Sequence, residues 1–169
     1  MCIKKVENTN SFTNKLVTVK FTKVRDVRSP RKAHNLDAGI DFFIPKDFHK
    51  TVVRPQESVL IPSGIKVHIP AGKALVAFNK SGVASKKRMV MGACVIDSGY
   101  ENEIFLNMYN TGKEDVILEP NDEKAITQFL IIDVPYVDME EISDEEYLAL
   151  CSKEKDARGL GGYGSTDGK

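Results

Sequence analysis

The C-terminal run ARGLGGYGSTDGK sets Gly159, Gly161, Gly162 and Gly164 among Arg158, Ser165 and Thr166. Glycines let a backbone approach a ligand closely, and a guanidinium with two hydroxyls supplies donors, so such a loop suits a polyphosphate. Tyr163 adds a flat face on which a base could stack. Taken alone, the same composition also describes a solvated, disordered terminus.

Three further segments carry candidate chemistry. In NKSGVASKK, Asn79 to Lys87, a predicted strand ends in Lys80, Ser81 and Gly82, which puts a charge, a hydroxyl and backbone N–H groups at one turn. Lys86, Lys87 and Arg88 thicken the positive field; a hairpin turn with a solvated basic rim fits the pattern equally. In GACVIDSGYENE, Gly92 to Glu103, Val95 and Ile96 lead into Asp97, an acid at the end of a buried strand that could orient water, or one that merely opens a tight turn. In DAGIDFF, Asp41 enters a strand behind Gly39 and is a candidate partner for Lys80. His34, His49 and His68 are scattered without ligand spacing, so no protein-ligated transition metal is expected. Neither a Walker loop nor a G-x-S-x-G elbow occurs.

The elements that must position these residues read as strands. Over Leu16 to Thr22, Val17, Val19 and Phe21 alternate with polar residues, the period of a strand with one buried face. Similar short runs follow at Ile40–Ile44, Val52–Val53, Val59–Ile61, Ile65–Ile69, Ala74–Phe78, Met89–Val90, Ile104–Tyr109, Val116–Leu118 and Ala125–Val134, punctuated by Gly and Pro. That spacing predicts a sandwich or barrel of antiparallel strands. A late helix is predicted over Ser143 to Lys153, where Ser143 and Glu146 form a capping box.

Bulk properties narrow the partners. A chain of 169 residues fits one domain, and 24 basic against 24 acidic side chains give no global attraction to nucleic acid or to an anionic membrane. The three cysteines, Cys2, Cys94 and Cys151, form neither a disulfide framework nor a zinc pattern, which points to a reducing, cytoplasmic setting. No apolar stretch is long enough to span a bilayer, so the chain is expected to be soluble.

Taken in order, AGIDFF at Ala38, NKSGVAS at Asn79, GACVIDSGYENE at Gly92, PNDEKAITQFLI at Pro120 and RGLGGYGST at Arg158 resemble the motifs of the trimeric dUTPase family. The resemblance implies an all-β fold, a compact antiparallel β-barrel of jelly-roll type over residues 1–155; the late helix near 143–153, read from its capping box, sits in a segment, Tyr136 to Lys155, longer than the family's usual approach to the tail. The resemblance also implies a flexible glycine-rich arm over 156–169 that closes over an active site. It implies hydrolysis of dUTP to dUMP and pyrophosphate in a homotrimer with shared active sites.

By motif, Asp97 would be the general base for the water that attacks the α-phosphorus, and Tyr100 would pack beneath the deoxyribose where a 2′-hydroxyl does not fit. Backbone groups of the hairpin from Cys94 to Phe105 would meet the uracil edge. Lys80, Ser81, Gly82 and Gln128 would hold the phosphate chain; Arg158, Gly164, Ser165 and Thr166 would clamp its end, with Tyr163 as an aromatic lid. Mg2+ would arrive chelated by the triphosphate with no direct protein ligand, Asp41 touching it through water.

The chain departs from the family pattern in Lys80 for arginine, Cys94 for glycine, Glu101–Asn102 for Arg–Gly, and Glu123 for a turn glycine. Two other readings compete. One is a dCTP deaminase-like enzyme of the same fold, whose catalytic glutamate would register with Asn107, an amide that cannot shuttle the same proton. The other is a non-catalytic regulatory trimer with a protein partner.

Overall fold

The computed structural model describes residues 17–120 and 123–152. The C-terminal arm, with Arg158, Tyr163, Gly164, Ser165 and Thr166, lies outside the described residues, as do Cys2, Leu16 and Lys153. The chain divides into two compact units, Met1–Pro135 and Tyr136–Lys169.

The first unit is all-β. Its strands are β1 (Lys20–Lys23), β2 (Ile40–Phe42), β3 (Thr51–Val53), β4 (Ser58–Pro62), β5 (Ile65–His68), β6 (Lys73–Asn79), β7 (Met89–Met91), β8 (Val95–Asp97), β9 (Phe105–Asn110), β10 (Val116–Leu118) and β11 (Thr127–Asp133). All pairings are antiparallel, in four sheets ordered β1-β5, β10-β3, β2-β11-β6-β8 and β4-β9-β7. The ladders do not close into one continuous barrel, but the sheets share a single apolar interior. Period-two alternation builds that interior: in β9, Leu106, Met108 and Asn110 are buried while Phe105 and Tyr109 are exposed. Phe42 and Phe129 meet there with ring centroids 4.4 Å apart.

The predicted strands recur with small shifts at their ends. Three expectations are corrected. Strand β1 has no buried face, because it pairs only with β5 and all four of its residues are exposed. Strand β8, which ends in Asp97, is an edge strand paired only with β6, and Val95 and Asp97 are exposed. The Asn79–Lys87 stretch is not a hairpin turn: beyond Gly82 it winds into a π-helical turn, Val83–Lys87, that stops at Arg88 in the left-handed region with φ 56°. That turn lets the chain pass from the end of β6 to β7 in another sheet, which a tight hairpin linking neighbouring strands could not do.

Among the described residues Ser63, Asn110 and Thr127 are the buried polar ones, and Asn110 makes the most side-chain bonds. Asn110, 1% exposed, donates from Nδ2 to the carbonyls of Val53 (2.9 Å) and Glu114 (2.8 Å) and accepts at Oδ1 from the Gly112 N–H (2.9 Å). It therefore pins the end of β9 to β3 and shapes the turn before β10. Asn110→Ala strands the Val53 and Glu114 carbonyls and the Gly112 N–H, and is expected to cost about 3 kcal/mol. The measurement is urea unfolding, where the midpoint should fall without a change in slope.

The second unit contains α1 (Asp144–Cys151), and the predicted capping box is present. Ser143 Oγ accepts from the Glu146 N–H at 3.2 Å, and Glu146 Oε2 accepts from the Ser143 N–H at 3.0 Å. The bonds from the Ser143 backbone and hydroxyl hold the Glu146 carboxyl below its ordinary value of 4.5. Because the folded value is depressed, this cap stabilises the helix fully above about 4.5 and is lost as pH falls through the lower folded value. The protection factor of the Glu146 amide, its exchange corrected for the intrinsic rate at each pH, should fall on acidification, and Glu146→Gln should remove most of that pH dependence.

Candidate active site

The four-stranded sheet brings together the first group of predicted site residues. Asp41 on β2 is registered opposite Gln128 on β11, and Gln128 opposite Phe78 on β6, so the side chains form one row across three strands. Lys80 follows directly after β6, and its Nζ lies 2.5 Å from Asp41 Oδ1, with the side chains 29% and 15% exposed. Gln128 Nε2 donates to the Asn79 carbonyl at 2.9 Å. A Cβ on Gly39 would lie 2.2 Å from Gln128 Oε1, so the glycine before Asp41 is what admits the glutamine. Ser81 and Gly82 are exposed beside this cluster, and nothing lies within 4 Å of a Cβ built on Gly82. The arrangement is a positive charge, an amide and a hydroxyl around open space, suited to phosphate oxygens.

The second group is elsewhere. Asp97 ends β8 opposite Ala74, near the start of β6. The Tyr100 N–H donates to the Asp97 carbonyl at 3.1 Å, which closes the turn over Ser98 and Gly99. Tyr100 is 40% exposed, but its hydroxyl folds back onto the Glu103 carbonyl at 2.9 Å. Phe105 is half-exposed at the start of β9, and the Cys94 carbonyl accepts from the Ala77 N–H at 2.8 Å. The Cys94–Phe105 segment is not a ladder-bonded hairpin, since β8 pairs with β6 whereas β9 pairs with β4 and β7. It is a connection between two sheets, and its geometry is set by what each end is bonded to.

Lys80 lies six residues beyond Ala74, so the two groups stand roughly 20 Å apart along β6 at about 3.3 Å per residue. The single chain does not bring Asp97 to Lys80 and Gln128.

Other residues mattered that the motifs did not single out. Asn79 uses its carbonyl for Gln128 and its Oδ1 for the Met91 N–H at 2.7 Å, joining β6 to β7. Glu103 pairs with Arg25 at 2.8 Å, and that bond, then the one from Asp47, raises the guanidinium above its ordinary value. Asn107 has a buried Oδ1 without a hydrogen-bond partner, directly beneath Gly92, where a Cβ would come within 2.0 Å of it. The departure at Glu123 is occupied by contacts to Arg28, which reaches its carbonyl at 3.2 Å and its carboxylate at 3.6 Å. Among the described residues no group of three or more His, Cys, Asp or Glu is placed to hold a metal, and no helix is long and apolar enough to cross a membrane.

Comparisons with known proteins identify the family. The family profile described as dUTPase matches residues 25–166. The chain is 33% identical over 144 residues to the deoxyuridine 5'-triphosphate nucleotidohydrolase of Corynebacterium jeikeium, covering 84% of this chain and 87% of that protein. It is 34% identical over 151 residues to the enzyme of the same name from Laribacter hongkongensis, covering 85% and 94%. Among solved structures it resembles the Staphylococcus bacteriophage 80alpha dUTPase with dUPNHPP, at 24% identity and a TM-score of 0.70 over 88% of this chain and 98% of that one. It also resembles a mutant dUTPase from phage phi11 of S. aureus, described as coordinating a structural Mg(II) ion, at 23% identity and a TM-score of 0.64 over 76% and 98%. The chain belongs to the dUTPase family.

Proposed function

We propose that this protein hydrolyses dUTP to dUMP and pyrophosphate in a homotrimer whose active sites each take residues from more than one subunit. Membership of the family supports the reaction. The observation that carries the shared site is the separation of Asp97 from the Lys80–Gln128 cluster by most of the length of β6. A base acting on the α-phosphorus must be within hydrogen-bond reach of the attacking water, and no side chain spans that gap. A neighbouring copy removes the conflict by setting the start of its β6 against the far end of this one.

In this reading Asp97 accepts a proton from water as the water oxygen bonds to the α-phosphorus, and the bond to the bridging oxygen breaks to release pyrophosphate. The exposure of Asp97 suits it to meet water. Lys80, Ser81, Gly82 and Gln128 hold phosphate oxygens, and the ion pair with Asp41 keeps the Lys80 ammonium at the sheet end. Tyr100 lies under the deoxyribose, and backbone of the Cys94–Phe105 connection reads the uracil edge. The arm over residues 156–169, with Arg158, Tyr163, Gly164, Ser165 and Thr166, closes over the bound nucleotide and excludes water.

When bound, Mg2+ chelated by the triphosphate would neutralise charge on the phosphate oxygens. Asp41 fits a contact through water rather than direct ligation, because its Oδ1 is already committed to Lys80 and only 15% of the side chain is exposed. We assign the enzyme to the cytoplasm, where thiols stay reduced.

Pyrophosphate release should be confined to dUTP when dUTP, UTP, dTTP and dCTP are compared. Asp97→Asn should lower kcat by about 10²–10⁴-fold. An inactive wild type, or ammonia released from dCTP, would refute the assignment. The shared site has its own test: Asp97→Asn and Lys80→Ala chains, each inactive alone, should regain activity when refolded together, because mixed trimers contain sites with both native residues. Activity equal to the sum of the separate variants would place both residues in one chain.

A further inference from the structure

Tyr100 is expected to act as a steric floor, and a floor that rejects a single oxygen atom must not yield. The ring is 40% exposed and rises from a loop between two sheets, so its rigidity has to come from what the loop is tied to. Its hydroxyl is spent on the Glu103 carbonyl, at 2.9 Å. It is therefore the ring, and not a hydrogen-bonding group, that faces a ligand. Whatever fixes Glu103 fixes the ring.

Glu103 is held on every side. Its carboxylate, 15% exposed, accepts through one oxygen, Oε1, from Arg25 Nε at 2.8 Å and from the Gly64 N–H at 2.7 Å. Arg25 is itself oriented by Asp47 Oδ2, at 2.8 Å from its other arm. Gly64 adopts φ +73° in the turn between β4 and β5, and a Cβ there would lie 2.8 Å from Val27 Cγ1, so this anchor is packed against the core. The next residue is clamped as firmly: the Ile104 N–H donates to the Ile65 carbonyl and the Ser63 N–H to the Ile104 carbonyl, both at 2.9 Å, with Ser63 and Ile104 buried. The core thus grips Glu103 by side chain and by neighbouring backbone, and Glu103 grips Tyr100.

We propose that Glu103, braced by Arg25 and Gly64, is the positioning residue that holds the Tyr100 ring at the height where a 2′-hydroxyl is excluded. This rests on the reading of Tyr100 as the floor beneath the sugar. The carboxylate touches no substrate. It acts through the loop that carries Tyr100. A charged acceptor bound by a guanidinium and an N–H resists displacement better than a neutral one, which is why a carboxylate is used where a small shift matters.

The test is steady-state kinetics of the full chain with dUTP and UTP for Glu103→Gln, Glu103→Ala, Arg25→Met and Tyr100→Ala. Glu103→Ala should lower the ratio of kcat/KM for dUTP over UTP by about tenfold, mostly through a weaker KM for dUTP and a gain with UTP. Glu103→Gln, which still offers an oxygen to the Gly64 N–H, and Arg25→Met, which keeps the carboxylate, should fall between. If Glu103→Ala does not fold, those two variants carry the measurement. A lowered melting temperature with the ratio unchanged in all three would make Glu103 merely structural and overturn the proposal. If Tyr100→Ala collapses the ratio while the Glu103 and Arg25 variants leave it intact, the floor stands and its brace is wrong. If Tyr100→Ala itself leaves the ratio unchanged, the floor and the brace fall together.

Discussion

The antiparallel ladder between β6 and β11, registered from Thr127 opposite Asn79 to Asp133 opposite Lys73, is the frame on which the rest of the molecule is measured. Its length follows from two apolar runs that bury Leu75, Ala77 and Phe129 on the shared interior. Because a strand advances by a fixed step, the ladder also sets how far apart anything attached to its two ends must be. Lys80 hangs from one end and β8 delivers Asp97 to the other. The separation of Asp97 from Lys80 is thus a consequence of strand geometry, and not of any property of the two side chains.

Close approach governs what can sit beside that frame. Gly39 is half-buried and Gly92 exposed, and a Cβ at either would collide with a polar side chain, Gln128 in one case and Asn107 in the other. The glycines therefore act as the space in which those amides lie. A side chain at Gly39 would displace Gln128 from the Asn79 carbonyl and unsettle the row that Asp41 and Lys80 complete. The short ion pair at that end of the sheet, together with the Lys73–Asp133 pair at the other, ties charges of opposite sign where strands finish and the ladder offers no further bonds.

The fold was legible along the chain because its signals are local, whereas the candidate site residues stood out only through the order of five motifs. Alternation located the strands, and the Ser143–Glu146 spacing located the helix start, since a capping box needs only a hydroxyl and a carboxylate three residues apart. The local signal failed where bonding partners are distant. Val95 and Ile96 read as a buried strand, but burial depends on what covers a face, and β8 lies at a sheet edge. Lys80 to Lys87 carries turn residues in either conformation, and the need to cross between sheets selected a π-helical turn. Glu103 gave no signal, because its partners Arg25, Asp47 and Gly64 are distant in sequence.

By itself, then, the amino-acid sequence determined the class of fold and the order of the segments that carry candidate chemistry, and it offered Asp97, Lys80 and Gln128 as candidates for the base, the cation and the amide of a phosphate-cleaving site. Residue type and short spacing suffice for the fold class, since period and capping are properties of neighbours on the chain, whereas the candidate roles came from the order of five motifs. Only the tertiary structure decided which of those residues meet. It joined Asp41, Lys80 and Gln128 through strand register, held Asp97 away from them by the length of β6, and turned the Tyr100 hydroxyl inward onto a braced glutamate. Register, strand length and long-range hydrogen bonds depend on residues tens of positions apart, and no local pattern encodes them.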